Sequence, residues 1–296
     1  MRYLKTSEAA ALLNVSPNTL RAWERRFGFP RPQRSPGRHR LYTHGEIAAL
    51  RDALLDGLSI SSAVSRAREG LGADTNALVG ALNAFDAARA DAALEGALAL
   101  RSLDRAVQEV LLTALDEIAR RHGTDSVQWA FAARWGNSWL RRAQRLVSSS
   151  IQSISVVLGD ASRDDLDPDA AYIRSLELLL ARSGATVFAV SVRGVSNMAE
   201  ALAAHRPDAV VIAGGALADD AVARWAYAVR LATGPLPVAV FRRGSQRQRV
   251  RTTGAAILPS TPGEAARHLM ELASHSVSTP STTRTSTTPR LLADGA

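Results

Sequence analysis

The side chains best suited to chemistry near the start of the chain are hydrogen-bond donors, and most of them are arginines. Residues 1–70 carry 12 basic and 6 acidic side chains, a net charge of +6, whereas the whole chain of 296 residues carries +8. Such a concentration of positive charge attracts polyanions, and DNA is the default candidate. A solvated basic face without a ligand is the alternative that charge alone leaves open.

A helix with one polar face would present these donors together. Ser16 is a preferred N-cap residue and Pro17 a preferred first residue, so a helix is predicted from there to about Arg26. A shorter helix over residues 7–13 precedes it, and the pair predicts a helix-turn-helix. The inward face is predicted to hold Leu20, Trp23 and Phe27, at i, i+3 and i+7. The solvent face is predicted to hold Asn18, Arg21 and Arg25.

A two-stranded hairpin is predicted after the second helix. Residues 31–42 contain prolines and a glycine and end in His39-Arg40-Leu41-Tyr42, which suits a wing with basic side chains near its tip. Thr43 and Glu46 have the spacing of a capping box, which predicts another helix over residues 47–55.

Three segments together resemble the winged helix-turn-helix domain of MerR-family transcriptional regulators, namely Tyr3–Ala10, Val15–Arg26 and His39–Thr43. The resemblance covers residues 1–72. It implies that the second helix enters the major groove and that the wing reaches the DNA backbone or minor groove. The side chains that it implies as DNA contacts are Asn18, Thr19, Arg21, Trp23, Arg25, Arg26, Arg38, His39, Arg40 and Tyr42. For Trp23, core packing is the alternative to packing on DNA.

The rest of the chain divides into a helical region, an α/β region and a tail. Residues 76–150 are rich in alanine and leucine and predict a four-helix bundle. Residues 275–296 are rich in Ser, Thr and Pro, a composition typical of a disordered tail. The bundle helices are predicted near 76–89, 91–100, 103–121 and 126–147.

An aromatic series marks the last of these helices. Phe131, Trp135 and Trp139 recur at every fourth position, and Trp129 lies nearby. A flat surface for a planar ligand is one interpretation; bundle core or a subunit interface is the other.

Short β-rich runs alternate with helical runs over residues 153–274, which predicts a flavodoxin-like doubly wound parallel sheet. Ligands of such sheets bind at the carboxyl ends of the strands. The fold class predicted for the whole chain is therefore multidomain, α and α/β. The β-runs lie near 155–158, 187–192, 209–213, 238–241 and 256–258.

The order of these regions resembles the CarH/LitR-type branch of the MerR family, in which the last two domains bind cobalamin. Here the motif residues of that branch are replaced, so the resemblance itself predicts that cobalamin is not used. The bundle motif aligns with His122, Ala132 and Ala133. In the α/β motif, Asp167 occupies the acidic position, Asp169 that of the axial histidine, and Tyr172 that of a glycine.

Other chemistry is weakly indicated. The chain has no cysteine, and its six histidines show no metal-ligand spacing. Gly214-Gly215 suits a turn or an anion site, and the arginines within 242–251 suit a solvated loop or an anion site. The acidic run 160–169 suits an exposed loop better than a cation site. No apolar run is long enough to cross a bilayer, so a cytoplasmic protein without a membrane partner is expected.

The leading hypothesis is a sequence-specific transcriptional regulator that binds double-stranded promoter DNA without cobalamin. Its C-terminal half would serve oligomerisation, as a homodimer or a higher homo-oligomer, or bind an effector or a protein such as RNA polymerase. A cobalamin-dependent light-sensing regulator is the second hypothesis. An enzyme with a DNA-binding anchor is the third, and the missing catalytic constellation counts against it.

Overall fold

The computed structural model describes residues 3–34, 39–147, 154–192, 198–215, 219–233, 236–243 and 254–277. Of the predicted tail 275–296, everything from residue 278 lies outside this description. Within the described part of the chain, no helix has the length and apolar content needed to span a membrane.

A three-stranded antiparallel sheet and three helices form the N-terminal domain. The sheet has the order β1-β3-β2, so the returning wing strand β3 lies in its centre. Its core includes Leu4, Leu20 and Leu50, each with an exposed fraction of 2% or less. The strands are β1 (Tyr3–Lys5), β2 (Gln33–Arg34) and β3 (Arg40–Thr43). The helices are α1 (Thr6–Leu12), α2 (Pro17–Phe27) and α3 (His44–Leu55).

Helix α2 begins and ends where its sequence predicts. The Ser16 hydroxyl accepts a hydrogen bond from the Thr19 amide at 3.0 Å, which satisfies an otherwise unpaired donor of the first turn. Gly28 ends the helix in the left-handed conformation, with φ of +59°, which favours glycine at this position.

Helix α4 (Ile60–Asn83) joins the N-terminal domain to the bundle without a break. The predicted domain limits at 72 and 76 fall inside this helix. The sequence offered no proline there, and an internal glycine costs a helix only about 1 kcal/mol relative to alanine, which packing on both sides outweighs. The predicted helix at 76–89 is thus the second half of a longer one.

The remaining bundle helices follow the predictions with one exception. The predicted helix at 103–121 contains a π-helical stretch between two α-helical parts, and it begins with the Ser102 cap. The elements are α5 (Ala87–Leu100), α6 (Leu103–Arg105), the π segment (Ala106–Leu111), α7 (Leu112–His122) and α8 (Val127–Arg145).

Five parallel strands in the order β5-β4-β6-β7-β8 form the C-terminal sheet, which confirms the predicted doubly wound fold. Strands β6 and β7 are buried along their whole length, as expected for a parallel sheet covered on both faces. The strands are β4 (Ile154–Asp160), β5 (Ala185–Ser191), β6 (Ala209–Ala213), β7 (Val238–Phe241) and β8 (Ala256–Ile257). The helices are α9 (Ala170–Arg182), α10 (Met198–His205), α11 (Asp219–Thr233) and α12 (Pro262–Val277).

The bundle and helix α9 share one hydrophobic core. Ala171 and Leu178 of α9 belong to the cluster that includes the bundle tryptophans. Trp129, Trp135 and Trp139 are only 2%, 8% and 9% exposed. The aromatic series is therefore core, and the alternative of a flat, exposed aromatic surface is wrong.

Candidate functional site

The polar face of α2 is exposed as predicted. Asn18, Arg21, Arg25 and Arg26 are exposed, whereas Leu20 on the opposite face is fully buried. Thr19 is only half-buried, but its hydroxyl lies 2.8 Å from that of Ser16 and takes part in the helix cap. The helix thus presents three guanidinium groups and one amide side chain on a single exposed surface.

Trp23 lies at the edge of this surface and is half-buried. It packs against the core of the N-terminal domain, together with Phe27. This packing fits the interpretation of Trp23 as a core residue.

The predicted wing contacts differ from one another in how far they are exposed to solvent. His39 is exposed, Arg40 is half-buried, and Arg38 lies outside the described residues. Tyr42 is fully buried, so the expectation of a wing contact from its side chain is wrong. The reason is the central position of β3, whose alternate side chains must point into the core.

Glu24 explains how the wing is attached to α2. Its carboxylate accepts hydrogen bonds from Arg40 Nε at 2.9 Å and from the Tyr42 hydroxyl at 3.3 Å. Burial, followed by the negative charge of Glu24, raises the pKa of Tyr42 to about 12. Glu24 was not predicted as a functional residue, although a single acidic residue within an otherwise basic helix was a signal that could have found it.

A buried ionic cluster joins the N-terminal domain to the bundle. Glu46 has an exposed fraction of 0% and lies 2.5 Å from Arg105 Nη1, which is itself 9% exposed. The Glu46 carboxylate also accepts hydrogen bonds from Thr43 Oγ1 at 3.0 Å and from the Arg31 amide at 3.2 Å. The residue predicted to cap α3 therefore also binds the neighbouring domain.

Two more bundle residues complete this cluster. Arg105 binds both carboxylate oxygens of Glu109 at 2.8 Å. Burial alone would lower the pKa of Arg105, but Glu109 and Glu46 outweigh it and raise that pKa. Close by, the buried Arg101 pairs with Asp74 of α4 at 2.5 Å. We refer to Glu46, Arg101, Arg105, Glu109 and Asp74 as the upper junction.

A second polar cluster lies where the strands of the α/β sheet end. Asp169 accepts hydrogen bonds from Arg243 Nε and from the Gly215 amide, both at 2.7 Å. Arg243 also donates to Asp116 of the bundle at 2.9 Å. The Tyr172 hydroxyl donates to the same Asp116 carboxylate at 2.5 Å, and its ring lies 5.1 Å below the Arg243 guanidinium. We refer to Asp116, Asp169, Tyr172, Arg243 and Gly215 as the lower junction.

The side chains of the lower junction are hydrogen-bonded to one another. Burial, followed by the hydrogen bond to Asp116, raises the pKa of Tyr172 well above its usual range, so the phenol stays protonated. Gly214 adopts φ of +115°, so the glycine pair serves as a turn. Its second amide, which was considered as an anion site, already binds the Asp169 carboxylate.

The residues aligned with a corrinoid site do not fit that cofactor. At the expected axial position, the Asp169 carboxylate is held by two donors, and carboxylate oxygen is a poorer ligand for cobalt than imidazole nitrogen. Tyr172 fills the space expected for a glycine. Ala132 and Ala133 are 0% and 1% exposed within the bundle core. His122 is directed to the Asn83 side-chain oxygen at 3.0 Å.

The acidic loop after β4 is held by its own backbone and by arginines. Asp167 accepts hydrogen bonds from the amides of Arg163 and Asp169, at 2.9 and 3.0 Å. Burial would raise the pKa of Asp165, but Arg174 and Arg141 outweigh it and lower that pKa. Among the described residues, no group of three potential metal ligands comes together.

Trp129 and Asn137 of the bundle bind this loop, a role that was not predicted for either residue. The Trp129 indole donates to the Leu166 carbonyl at 2.8 Å, and the Asn137 amide donates to the Asp165 carbonyl at 2.8 Å. Both donors are buried, so the loop is fixed against the bundle. A polar cavity of about 460 Å³ remains beside it, with Thr124, Arg163 and Arg243 in its wall.

Comparison with known proteins identifies the N-terminal domain. Residues 5–42 match the family model described as MerR family regulatory protein. The chain is 40% identical over 70 residues to the HTH-type transcriptional repressor CarA of Myxococcus xanthus, covering 22% of this chain and 24% of that protein. It is 47% identical over 45 residues to the HTH-type transcriptional regulator MlrA of Escherichia coli, covering 15% and 18%.

A longer alignment is found with a second repressor of the same organism. The chain is 30% identical over 143 residues to the HTH-type transcriptional repressor CarH of Myxococcus xanthus, covering 40% of this chain and 48% of that protein. Each alignment thus spans less than half of the relative. Among solved structures, the monomethylamine corrinoid protein of Methanosarcina barkeri is similar with a TM-score of 0.48 at 13% identity, covering 66% of this chain and 96% of that one. A likeness at this level supports no conclusion about a ligand.

Proposed function

We propose that this chain, whose first residues form a MerR-type helix-turn-helix, is a sequence-specific DNA-binding transcriptional regulator. The observation that carries the proposal is the exposed face of α2, with Asn18, Arg21 and Arg25 opposite a buried Leu20. Arginine donates two parallel hydrogen bonds to guanine, and asparagine to adenine, in the major groove. Arg26, at the end of the helix, is placed to bind a phosphate.

The wing has a different part in this proposal. His39 and Arg38 are its contacts with DNA, and Thr19 supports the start of α2. Arg40 already binds Glu24 through Nε, so it sets the angle between the wing and α2 and can offer only its Nη atoms to a phosphate. Trp23 and Tyr42 support the surface from beneath.

Two copies of the chain are required for specificity, because one winged domain reads few base pairs. A homodimer or a higher homo-oligomer on symmetric half-sites is therefore part of the proposal. Trp135 and Trp139 were the first candidates for its interface, but both are buried within one chain. RNA polymerase or another protein partner stays a prediction.

We also propose that the regulator works without cobalamin and without an enzymatic reaction. The lower junction supports this, since Asp169, Tyr172 and Arg243 already bridge the bundle to the sheet. The test is to mix the purified chain with adenosylcobalamin in the dark, desalt it and record the visible spectrum. A colourless protein with equal DNA binding in dark and light is expected. Stoichiometric retention, or binding that changes with light, would favour the light-sensing alternative.

Selection from fragmented genomic DNA, followed by titration at several salt concentrations, tests DNA binding. Each phosphate contact contributes about −0.9 to the slope of log K against log salt. Arg26→Ala should lower the magnitude of that slope by about one unit, whereas Arg21→Ala should also relax the sequence preference. Arg120→Ala, on an exposed face of the bundle, is the control with no expected effect. Equal affinity of all three variants for the selected site would refute the assignment of α2.

A further inference from the structure

A second cavity lies between α5, α8 and the turn that leads from α9 into β5. Its volume is about 760 Å³, and its wall comes from both the bundle and the α/β domain, with Gly184 at the turn. Small-molecule sites occupy about 300–1,000 Å³ and occur preferentially between domains. The cavity therefore has the size and the place of a ligand site.

Most of the residues that line this cavity are apolar. The Trp139 indole forms part of them with only 9% of its surface exposed, next to Leu98 and Leu103. Leu146 also lines the cavity and is 86% exposed, the largest exposed fraction among the large apolar side chains described. An apolar ligand would remove this surface from water, which is favourable in proportion to the area covered.

Two exposed arginines at the cavity could bind a carboxylate in place of their present partners. Arg142 and Arg182 contribute to its wall together with Glu95, and each arginine pairs with an aspartate beside the cavity. Arg182 binds Asp104 through Nε at 2.9 Å, and Arg142 binds Asp91 through Nη2 at 3.3 Å. Both pairs are exposed, so each is weak and can be exchanged for another carboxylate. Neither Nη atom of Arg182 has a hydrogen-bond partner among the described residues.

We propose that this cavity binds an amphipathic monocarboxylate, whose apolar body lies on Trp139 and Leu103 and whose carboxylate binds Arg182 and Arg142. A saturated chain of eight to ten carbons is an occupant of suitable chemistry. Arginine matches a carboxylate with two parallel hydrogen bonds, which fixes the orientation of the bound molecule.

The place of the cavity connects it to the DNA-binding domain, a part of the inference that rests on the proposed function. Leu103 and the Arg182 partner Asp104 belong to α6. The same short segment binds the N-terminal domain, through Ser102 to the Gln33 side chain at 2.9 Å and through Arg105 to Glu46. A ligand that draws Arg182 away from Asp104 therefore acts on the segment that holds the N-terminal domain in place.

Isothermal titration calorimetry of the full chain with decanoate, octanoate and decylammonium tests the site without DNA. Decanoate should bind about tenfold more tightly than octanoate, because each buried methylene contributes about 0.8 kcal/mol. Decylammonium, with the same chain and the opposite charge, should bind at least about tenfold more weakly than decanoate. No binding of decanoate, or equal binding of decylammonium, overturns the proposal.

Two variants locate the site. Arg182→Gln should weaken decanoate about threefold to tenfold, since it removes an exposed charge-assisted contact. Ala143→Trp should fill the cavity and abolish binding, and circular dichroism establishes that it folds. Arg145→Gln removes an exposed charge from the same helix outside the cavity and should change nothing. Decanoate affinity that is unchanged in both cavity variants overturns the assignment.

A final titration separates this inference from the proposed function. The selected DNA fragment is titrated with and without saturating decanoate. A changed DNA affinity in the wild type, lost in Arg182→Gln, supports the connection through α6. Decanoate binding with unchanged DNA affinity overturns the connection alone. Absence of DNA binding in both conditions counts against the proposed function and leaves the calorimetric result standing.

Discussion

The bundle is joined to its two neighbours by ionic clusters of different character. At the upper junction, Glu46 and Arg105 are 0% and 9% exposed. At the lower junction, Arg243 is 32% and Asp116 47% exposed. Both clusters join a carboxylate of one domain to an arginine of another, yet the pair that crosses the upper junction is nearly buried and the pair that crosses the lower junction is about half-exposed.

This difference predicts unequal consequences of disruption. A buried ion pair contributes little net stability compared with an apolar pair, but removing one partner leaves a buried charge and costs about 3–5 kcal/mol. A half-exposed pair is screened by water and salt, so the remaining charge can be solvated. The upper junction should therefore fix the position of the N-terminal domain, whereas the lower junction can open at small cost.

Arg105→Met should have the largest effect, because it leaves the Glu46 carboxylate buried without its cation. We expect a loss of about 3–5 kcal/mol in the free energy of unfolding, measured with urea. The double variant with Glu46→Gln should lose less than Arg105→Met alone, since the buried charge is gone. Arg120→Met, in an exposed pair with Glu117, should change stability by less than about 0.5 kcal/mol. Equal losses for Arg105 and Arg120 would contradict the contrast between dry and wet pairs.

Gly45→Ala should have the next largest effect and tests how closely the two domains pack. A Cβ atom at Gly45 would lie 2.1 Å from the Leu100 carbonyl oxygen, far inside any real contact. We expect a loss of about 2–3 kcal/mol as α3 moves away from α5. Gly80→Ala is the matched control in open space, where alanine should stabilise the helix by about 0.5–1 kcal/mol. If Gly45→Ala leaves the free energy of unfolding unchanged, α3 and α5 are not closely packed at this contact.

Arg243→Met should destabilise the chain by only about 1–2 kcal/mol, because water reaches Asp116 and Asp169 keeps the hydrogen bond from the Gly215 amide. The loss of stability relative to the wild type should be smaller in about 1 M salt, where the screening length falls to roughly 3 Å. Thermal unfolding at low and high salt provides the measurement. A loss as large as that of Arg105→Met, insensitive to salt, would remove the distinction between the junctions.

The smallest effect concerns the wing and is confined to alkaline pH. The folded pKa of Tyr42 is raised from 10.0 to about 12, so its contribution to stability is complete below pH 10 and is lost between pH 10 and 12. The phenolate absorbance of the wild type minus that of Tyr42→Phe should have a midpoint near pH 12. Glu24→Gln should move that midpoint downward, since a negative charge is removed. A midpoint at pH 10 in the wild type would mean that Tyr42 is solvated.

Local signals predicted most of the fold. The Ser16 cap, the Thr43–Glu46 capping box and the alternation of β-rich with helical runs predicted elements close to those observed. The boundary within α4 was missed because no local signal reports that one helix packs in two domains. The π segment was missed because hydrophobic spacing and cap residues do not mark one extra residue per turn inside a continuous helix.

The sequence predicted which helix exposes the basic side chains, but it did not predict the long-range contacts around them. The exposed arginines of α2 followed from helical spacing, whereas the burial of Tyr42 depends on β3 lying at the centre of its sheet. The replacement of the corrinoid motif residues was visible in the sequence, but the network that Asp169, Tyr172 and Arg243 form instead joins residues far apart in the chain. Trp129 and Asn137 were overlooked for the same reason.

The unbroken helix α4 would make the proposed regulator sensitive to the number of base pairs between its two DNA half-sites. Its 24 residues span about 36 Å as one rod, with no flexible tether between the DNA-binding domain and the bundle. In an assembly of two such chains joined through their bundles, the separation and the rotational setting of the two α2 helices would be fixed together. One extra base pair between half-sites rotates them by roughly 34–36° about the duplex axis, since a turn contains about 10–10.5 base pairs. Operator spacing would therefore be read as strictly as operator sequence.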